Sequence, residues 1–155
     1  METTKEILNR YGETMVLLLR GLIAPYSATG KTVRSIRYRV VGDNDTESLL
    51  IFARPFLKTL ETGRGPRKST QPSGLEDKML EYMRARGIDK GSEKKNKQFA
   101  RFLAYRMNKE GDNTFKSGGR EIFSGQLKIV TDSMKMVIIA QKSKEYLTSL
   151  KSIFE

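Results

Sequence analysis

Ser35-Ile-Arg-Tyr-Arg-Val-Val41, Gly42-Asp-Asn-Asp-Thr46 and Ser48-Leu-Leu-Ile-Phe-Ala53 follow one another in the chain, and their reading decides the fold class. The first run alternates apolar and basic residues, so a strand would carry Ile36, Tyr38 and Val40 on one face and Arg37 and Arg39 on the other. The last run is more uniformly apolar, and the middle one has the chemistry of a tight turn. Together they predict a β-hairpin. Since the rest of the chain reads as helix and loop, the expected class is α+β: a small antiparallel sheet flanked by helices, with long helices at both ends.

On the N-terminal side, Thr3 and Glu6 have the spacing of a capping box, in which each side chain satisfies an amide of the other residue. Ile7, Leu8, Tyr11, Met15, Leu18 and Leu22 then recur every three or four residues, which predicts an amphipathic helix. Gly12 weakens its middle and Pro25 closes it. The Ile/Tyr/Val face of the hairpin is expected to rest on this helix. On the C-terminal side, residues 63–74 hold two prolines and three glycines among three cations, the composition of an extended loop. In an assembly such arms commonly order only against a neighbour.

Two helices follow. Leu75, Met79, Leu80 and Met83 make one stripe, ended by Gly87. A charged link over 89–97 leads to Phe99, Phe102, Leu103, Tyr105 and Met107, ended by Gly111. The spacing of Phe99, Phe102 and Leu103 predicts a core-facing side. Thr114 and Phe115 are expected in a short extended stretch. The last forty residues fit two readings. Phe123, Leu127, Val130, Met134, Val137 and Ile138 have helical spacing, whereas Leu127-Lys-Ile-Val130 and Met136-Val-Ile-Ile139 are β-branched runs that would suit a hairpin through Thr131-Asp-Ser133. One long helix is the reading taken, with residues 131–133 as the place where a break would fall. The expected organisation is one α+β domain over 1–125, containing the loop at 63–74, and a helical extension over 126–155.

The chain has 155 residues, without cysteine or histidine, and a net charge of +11. Disulfides, thiolate metal sites, cysteine nucleophiles, Ser-His triads and imidazole ligands are thereby excluded, and no enzyme, cofactor or metal is expected. The charge sits in two blocks: residues 54–70 carry five Lys/Arg against one acid, and residues 84–109 carry nine against two. Such blocks serve nucleic acid, an acidic protein or simple solubility. No run approaches the roughly 18–20 apolar residues that span a bilayer. The polar start, Met1-Glu-Thr-Thr-Lys-Glu6, is unlike a secretory signal.

Three local patterns weaken on inspection. Gly30-Lys-Thr32 ends like a phosphate-binding loop, but Pro25 stands where such a loop needs glycine, and a helix precedes it in place of a strand. Asp43/Asp45/Glu47 and Glu76/Asp77/Glu81 lack a third group at metal-binding spacing, and turn solvation or helix N-terminal charge accounts for them. Asn44-Asp-Thr46 matches a glycosylation sequon of a kind frequent by chance. The basic segments 64–68 and 94–101 are more substantial and give an alternative function, nonspecific nucleic-acid binding.

The order of segments carries a resemblance. Ser27-Ala-Thr-Gly-Lys-Thr-Val-Arg-Ser-Ile36 resembles the Thr-Gly-x-Leu-x-x-Ser-Ile stretch of small tailed-bacteriophage neck proteins, the tail-completion or head–tail connector family. Leu57-Lys-Thr-Leu-Glu-Thr-Gly-Arg-Gly-Pro66 is similar to that family's Tyr-x-x-x-Leu-Glu-x-Gly-Thr-Gly-Pro, with Phe56 near the place of the tyrosine and Arg64 in place of the threonine or serine of the Gly-x-Gly turn. Leu80-Glu-Tyr-Met-Arg-Ala-Arg-Gly-Ile88, the Ala100–Gly111 stretch and Thr114-Phe115 resemble the segments that follow, and Gly118-Gly-Arg-Glu-Ile-Phe123 resembles proteins of phages infecting gut Bacteroidales. The resemblance covers about residues 1–125. It implies a structural virion protein of the neck or tail, held in the host cytoplasm before assembly and present as a ring of six or twelve copies. The implied partners are portal, adaptor and tail proteins, with transient contact to genomic DNA and none to membrane. Candidate interface residues are Gly63, Arg64, Gly65, Pro66, Arg67 and Lys68 in the loop, and Tyr146, Leu150, Ile153 and Phe154 in the tail.

Overall fold

A computed structural model describes residues 2–42, 46–67 and 74–154, with side chains as far as residue 150. The fold is α+β and mostly helical, with one two-stranded antiparallel sheet and long helices at both ends. In chain order the elements are α1 (Thr4–Ile23), a 3-10 turn (Ala24–Tyr26), α2 (Lys31–Ser35), β1 (Arg37–Gly42), β2 (Glu47–Phe52), α3 (Phe56–Thr62), α4 (Leu75–Ala85), α5 (Glu93–Glu110), α6 (Asn113–Lys116) and α7 (Ser124–Phe154). They form two compact units. One comprises Met1–Leu22, Ile36–Ala53 and Phe123–Glu155, and the other Ile23–Ser35 and Arg54–Ile122. The boundary expected at 125/126 falls inside the first turn of α7.

The first unit is α1, the hairpin and α7. The capping box forms at the start of α1: the Thr3 amide donates to Glu6 Oε2 at 2.7 Å and the Glu6 amide to Thr3 Oγ1 at 3.2 Å. Ile7, Leu8, Met15, Val16 and Leu19 are buried, whereas Leu18 and Leu22 are half-buried and Leu17 is exposed. The inward stripe therefore lies one ridge away from the predicted one in the second half of α1. There Met15 to Leu19 are apolar without interruption, so periodicity alone cannot choose the buried ridge. In the hairpin Arg37 pairs with Phe52 and Gly42 with Glu47, and the turn residues 43–45 lie outside the description. As expected, Ile36 is buried, Tyr38 and Val40 are half-buried, and Arg37 and Arg39 face out. The Tyr38 ring lies on α1 where Gly12 leaves room: a Cβ there would come 2.7 Å from Tyr38 Cε2 and 2.8 Å from Cγ.

The tail is one long helix, as expected, and it runs unbroken through residues 131–133. Tyr11 Oη and Ser133 Oγ share a hydrogen bond at 3.1 Å, and Gln141 Nε2 donates to the Glu2 carbonyl. These two contacts run in opposite order along the two helices, so α7 lies antiparallel to α1.

The second unit centres on the α4–α5 pair, with Leu60, Leu75, Met83, Ala100 and Ala104 buried. Two expectations are corrected here. The link at 89–97 is shorter than predicted: Ser92 caps α5 by accepting the Lys95 amide at 3.3 Å, and the charged residues 93–97 form the first turns of the helix. Thr114 and Phe115 are helical, because the Asp112 carboxylate accepts the Phe115 amide at 2.8 Å and starts a short turn.

Candidate functional site

Residues 61–67 and 108–122 are far apart in the chain and interlock in the second unit. Gly63 and Gly111 each adopt a positive φ with ψ near 177°, an extended geometry open essentially to glycine. Each also permits a close backbone approach. A Cβ on Gly63 would lie 2.6 Å from Phe115 Cα, and one on Gly111 would lie 2.8 Å from the Arg64 carbonyl oxygen. The Arg64 amide donates to Asp112 Oδ2 at 3.0 Å, and the Asp112 amide donates back to the Arg64 carbonyl at 2.9 Å. Asp112 thus uses one carboxylate oxygen to cap α6 and the other to hold the loop. Further along, the Arg67 amide donates to the Asn108 carbonyl at 2.7 Å. Glu61 completes the lock through its carbonyl, which accepts the Arg120 amide at 2.8 Å, and its carboxylate, which accepts the Ile122 amide at 2.9 Å.

Among the loop candidates, Gly63, Arg64, Gly65 and Arg67 are therefore half-buried and tied to their own chain, while Pro66 is exposed. The Arg64 guanidinium donates to Asn108 Oδ1 at 3.2 Å. Lys68 and residues 69–73 lie outside the description. Sequence reasoning missed Asp112 and Glu61 as the pins and read Gly111 only as a helix end. The signal that could have found Asp112 is its place three residues before Phe115, the spacing of a capping side chain.

The tail candidates lie on α7. Leu127, Met134, Val137, Ile138 and Gln141 are half-buried, whereas Ile129, Met136, Ile139, Tyr146 and Leu147 are exposed, Met136 by 67%. At 3.6 residues per turn Ile129, Met136 and Leu147 fall opposite the half-buried stripe, with Ile139 and Tyr146 beside them. Ser143, on that outer side, turns its hydroxyl back to the Ile139 carbonyl at 2.9 Å, and Asp132, also on it, pairs with Lys135 at 3.8 Å, so the strip is apolar apart from that one exposed ion pair. Leu150 is half-buried, and the side chains of Ile153 and Phe154 lie outside the description.

The inward face of α5 is shifted from expectation, with Phe102 left outside it. Ala100 and Ala104 are buried, Phe99 and Leu103 are half-buried, and Phe102 and Tyr105 are exposed by 51% and 62%. The small alanines let α4 and α5 approach closely, so close packing won over ring burial.

The polar clusters are ordinary ion pairs. Lys31, from the Gly-Lys-Thr stretch, binds Glu81 and holds its carboxyl below the usual range; Glu76 pairs with Arg101 at 3.2 Å. Asp43 and Asp45 lie outside the description. Among the described residues no three carboxylates gather as a metal site would require, and no helix is long and apolar enough to cross a membrane. An open depression in the first unit is lined by Glu13, Val16, Leu17, Arg20, Arg37 and Tyr38, and Arg20 donates there to the Ile36 carbonyl at 2.8 Å.

Compared with models of protein families, with curated proteins and with solved structures, the chain matches none.

Proposed function

We propose that the chain is a non-catalytic virion protein that assembles as a ring of identical copies at the head–tail junction of a tailed bacteriophage, joining the portal complex to the tail around the DNA channel. The observation that carries this reading is the second apolar side of α7. A helix apolar on opposite sides is ordinarily enclosed, yet Ile129, Met136, Ile139, Tyr146 and Leu147 stand exposed. A second surface is the natural cover. In a ring each contact joins two different patches, so α7 meets a non-identical surface of the next copy. A stable contact buries roughly 1,200–2,000 Å² in total. Support for the neck in particular comes from the resemblance: the stretches 57–66 and 111–115 that carry it are the two that interlock around Gly63 and Gly111. In this reading the cations meet acidic patches on portal, adaptor or tail proteins, or phosphates of DNA in transit.

Light scattering of the full chain, alone and mixed with portal and tail proteins, tests the proposal. The expected particle has six or twelve copies. The double substitution Met136→Asp/Ile139→Asp should leave the helical circular dichroism unchanged and abolish assembly. A strict monomer indifferent to every virion protein overturns the reading.

A further inference from the structure

We infer that the outer face of α5 is a binding strip for single-stranded nucleic acid, in which Phe102 and Tyr105 stack on bases while the surrounding lysines and arginines hold phosphates. This inference does not depend on the ring. It starts from the packing of α5: the helix buries Ala100 and Ala104 and presents two large rings to water. With 3.6 residues per turn, Lys94, Lys95, Arg101, Phe102, Tyr105, Arg106 and Lys109 all project from the side away from those alanines. Phe102 and Tyr105 therefore stand about one turn apart near the middle of the strip, with cations on either side along about 22 Å of helix.

The charge on this strip is free to meet a ligand. Residues 84–109 carry nine Lys/Arg against two acids. Lys94, Lys95 and Lys109 make no ion pair among the described residues. Arg101 and Arg106 pair with Glu76 and Glu110, but with side chains 76% and 55% exposed. Such solvated pairs are weak and give way to a phosphate at little cost. Cations also lie against the rings, Arg106 at 6.0 Å from the Phe102 centroid and Lys90 at 4.5 Å from that of Phe99. No cation is placed over Tyr105 among the described residues.

Charge complementarity names a polyanion, and the rings name which one. An acidic protein segment would neutralise the lysines and gain nothing specific from flat rings. A duplex keeps its bases stacked inside and offers the rings no partner. Unstacked bases use both features, since any base has a face to lay on an aromatic side chain. A second copy of this chain is disfavoured, because two such faces repel.

Fluorescence anisotropy of the full chain with labelled oligothymidylate, oligouridylate, a duplex of equal length and polyglutamate tests this. Both single strands should bind more tightly than the duplex or polyglutamate at low salt; the tighter of the two identifies DNA or RNA as the source. Phe102→Ala/Tyr105→Ala should weaken single-strand binding by about tenfold or more and leave its salt dependence unchanged. Tyr105→Phe, which keeps the ring, should bind like the parent. Lys94→Glu/Lys95→Glu should flatten the log–log salt slope by about 0.7 for each phosphate that the chain ceases to neutralise. All these side chains are exposed, so thermal melts should match the parent and separate weakened binding from weakened folding. Absence of single-strand binding at low salt overturns the inference. So does duplex or polyglutamate binding of equal strength that the ring substitutions leave untouched, the latter pointing to an acidic protein partner.

Discussion

In the unit built from both ends of the chain, a side chain closes on a helix: the Tyr38 ring occupies the space that Gly12 leaves on α1. In the other unit backbone closes on backbone, with Gly63 against Phe115 and Gly111 against Arg64. A ring can tilt or move when crowded, at the cost of some packing. Two backbone segments pinned by the Asp112 amide and carboxylate have no such freedom. The units also differ in what they leave outside. The first exposes aliphatic side chains of α7, a surface suited to protein; the second exposes rings among cations on α5, suited to a polyanion. Close packing and exposed surface thus draw on different chemistry in each unit.

Gly63→Ala is the strongest way to break this contrast. The new Cβ would meet the Phe115 backbone in a conformation alanine rarely adopts. Strain and overlap together should cost about 4 kcal/mol. Urea denaturation followed by amide exchange should show protection abolished over 54–122 and largely retained in α1. Gly87→Ala is the matched control: its φ of 66° is also positive but nothing lies within 4 Å of a new Cβ, so the destabilisation should be about 1 kcal/mol. Equal effects for the two would show that close backbone approach is not what holds the corner.

Gly12→Ala should have a smaller effect with an informative sign. In an isolated helix the change gains about 1 kcal/mol. Here the Tyr38 ring must shift, and overpacking of this kind costs about 1–3 kcal/mol, so the net change should be a modest destabilisation. In a Tyr38→Ala background the same substitution should become neutral or stabilising. The double-mutant cycle therefore reads the contact directly. If Gly12→Ala stabilises the parent, the ring does not occupy that space in solution.

The fold class was legible because its evidence is local. The hairpin alternates with period two around turn residues, and the capping box at Thr3 and Glu6 announces α1. The unbroken α7 was half legible: β-branched runs argued for strands, but helical spacing continued through 131–133. What could not be read was anything set by contact between distant segments. The buried ridge of α1 is ambiguous where Met15 to Leu19 are all apolar. On α5, large rings look like core until the approach of α4 selects the alanines. The corner around Asp112 joins it to Arg64, 48 positions earlier in the chain, and no spacing rule reaches that far.

Titration offers the finest test of the contrast, because alkaline weakening should belong to the first unit, whereas lowered carboxyls, Glu6 and Glu145 in the first unit and Glu110 and Glu81 in the second, weaken both in acid. In the second unit, hydrogen bonds and charge from Lys116 and Arg106 hold the Glu110 carboxyl below its ordinary value of 4.5, and Lys31 does the same for Glu81. A carboxyl with a lowered folded pKa adds stability that is complete above its unfolded value and vanishes as pH falls through the folded one. Protection in this unit should thus decline below about pH 4.5, and Glu110→Gln should flatten that decline slightly. In the first unit, desolvation and then the neighbouring Glu13 push the Tyr38 hydroxyl above its ordinary 10.0. The neutral phenol is favoured in the fold, so its contribution holds below the unfolded value and is lost as pH rises through the folded one. The hairpin should therefore loosen at alkaline pH, and Tyr38→Phe should remove that sensitivity while keeping the ring over Gly12. These groups are solvent-accessible, so each effect should be small, a few degrees of melting temperature at most. Residue-resolved amide exchange across the two pH ranges can separate them, and an alkaline loosening of the hairpin unchanged in Tyr38→Phe would rule out the phenol as its source.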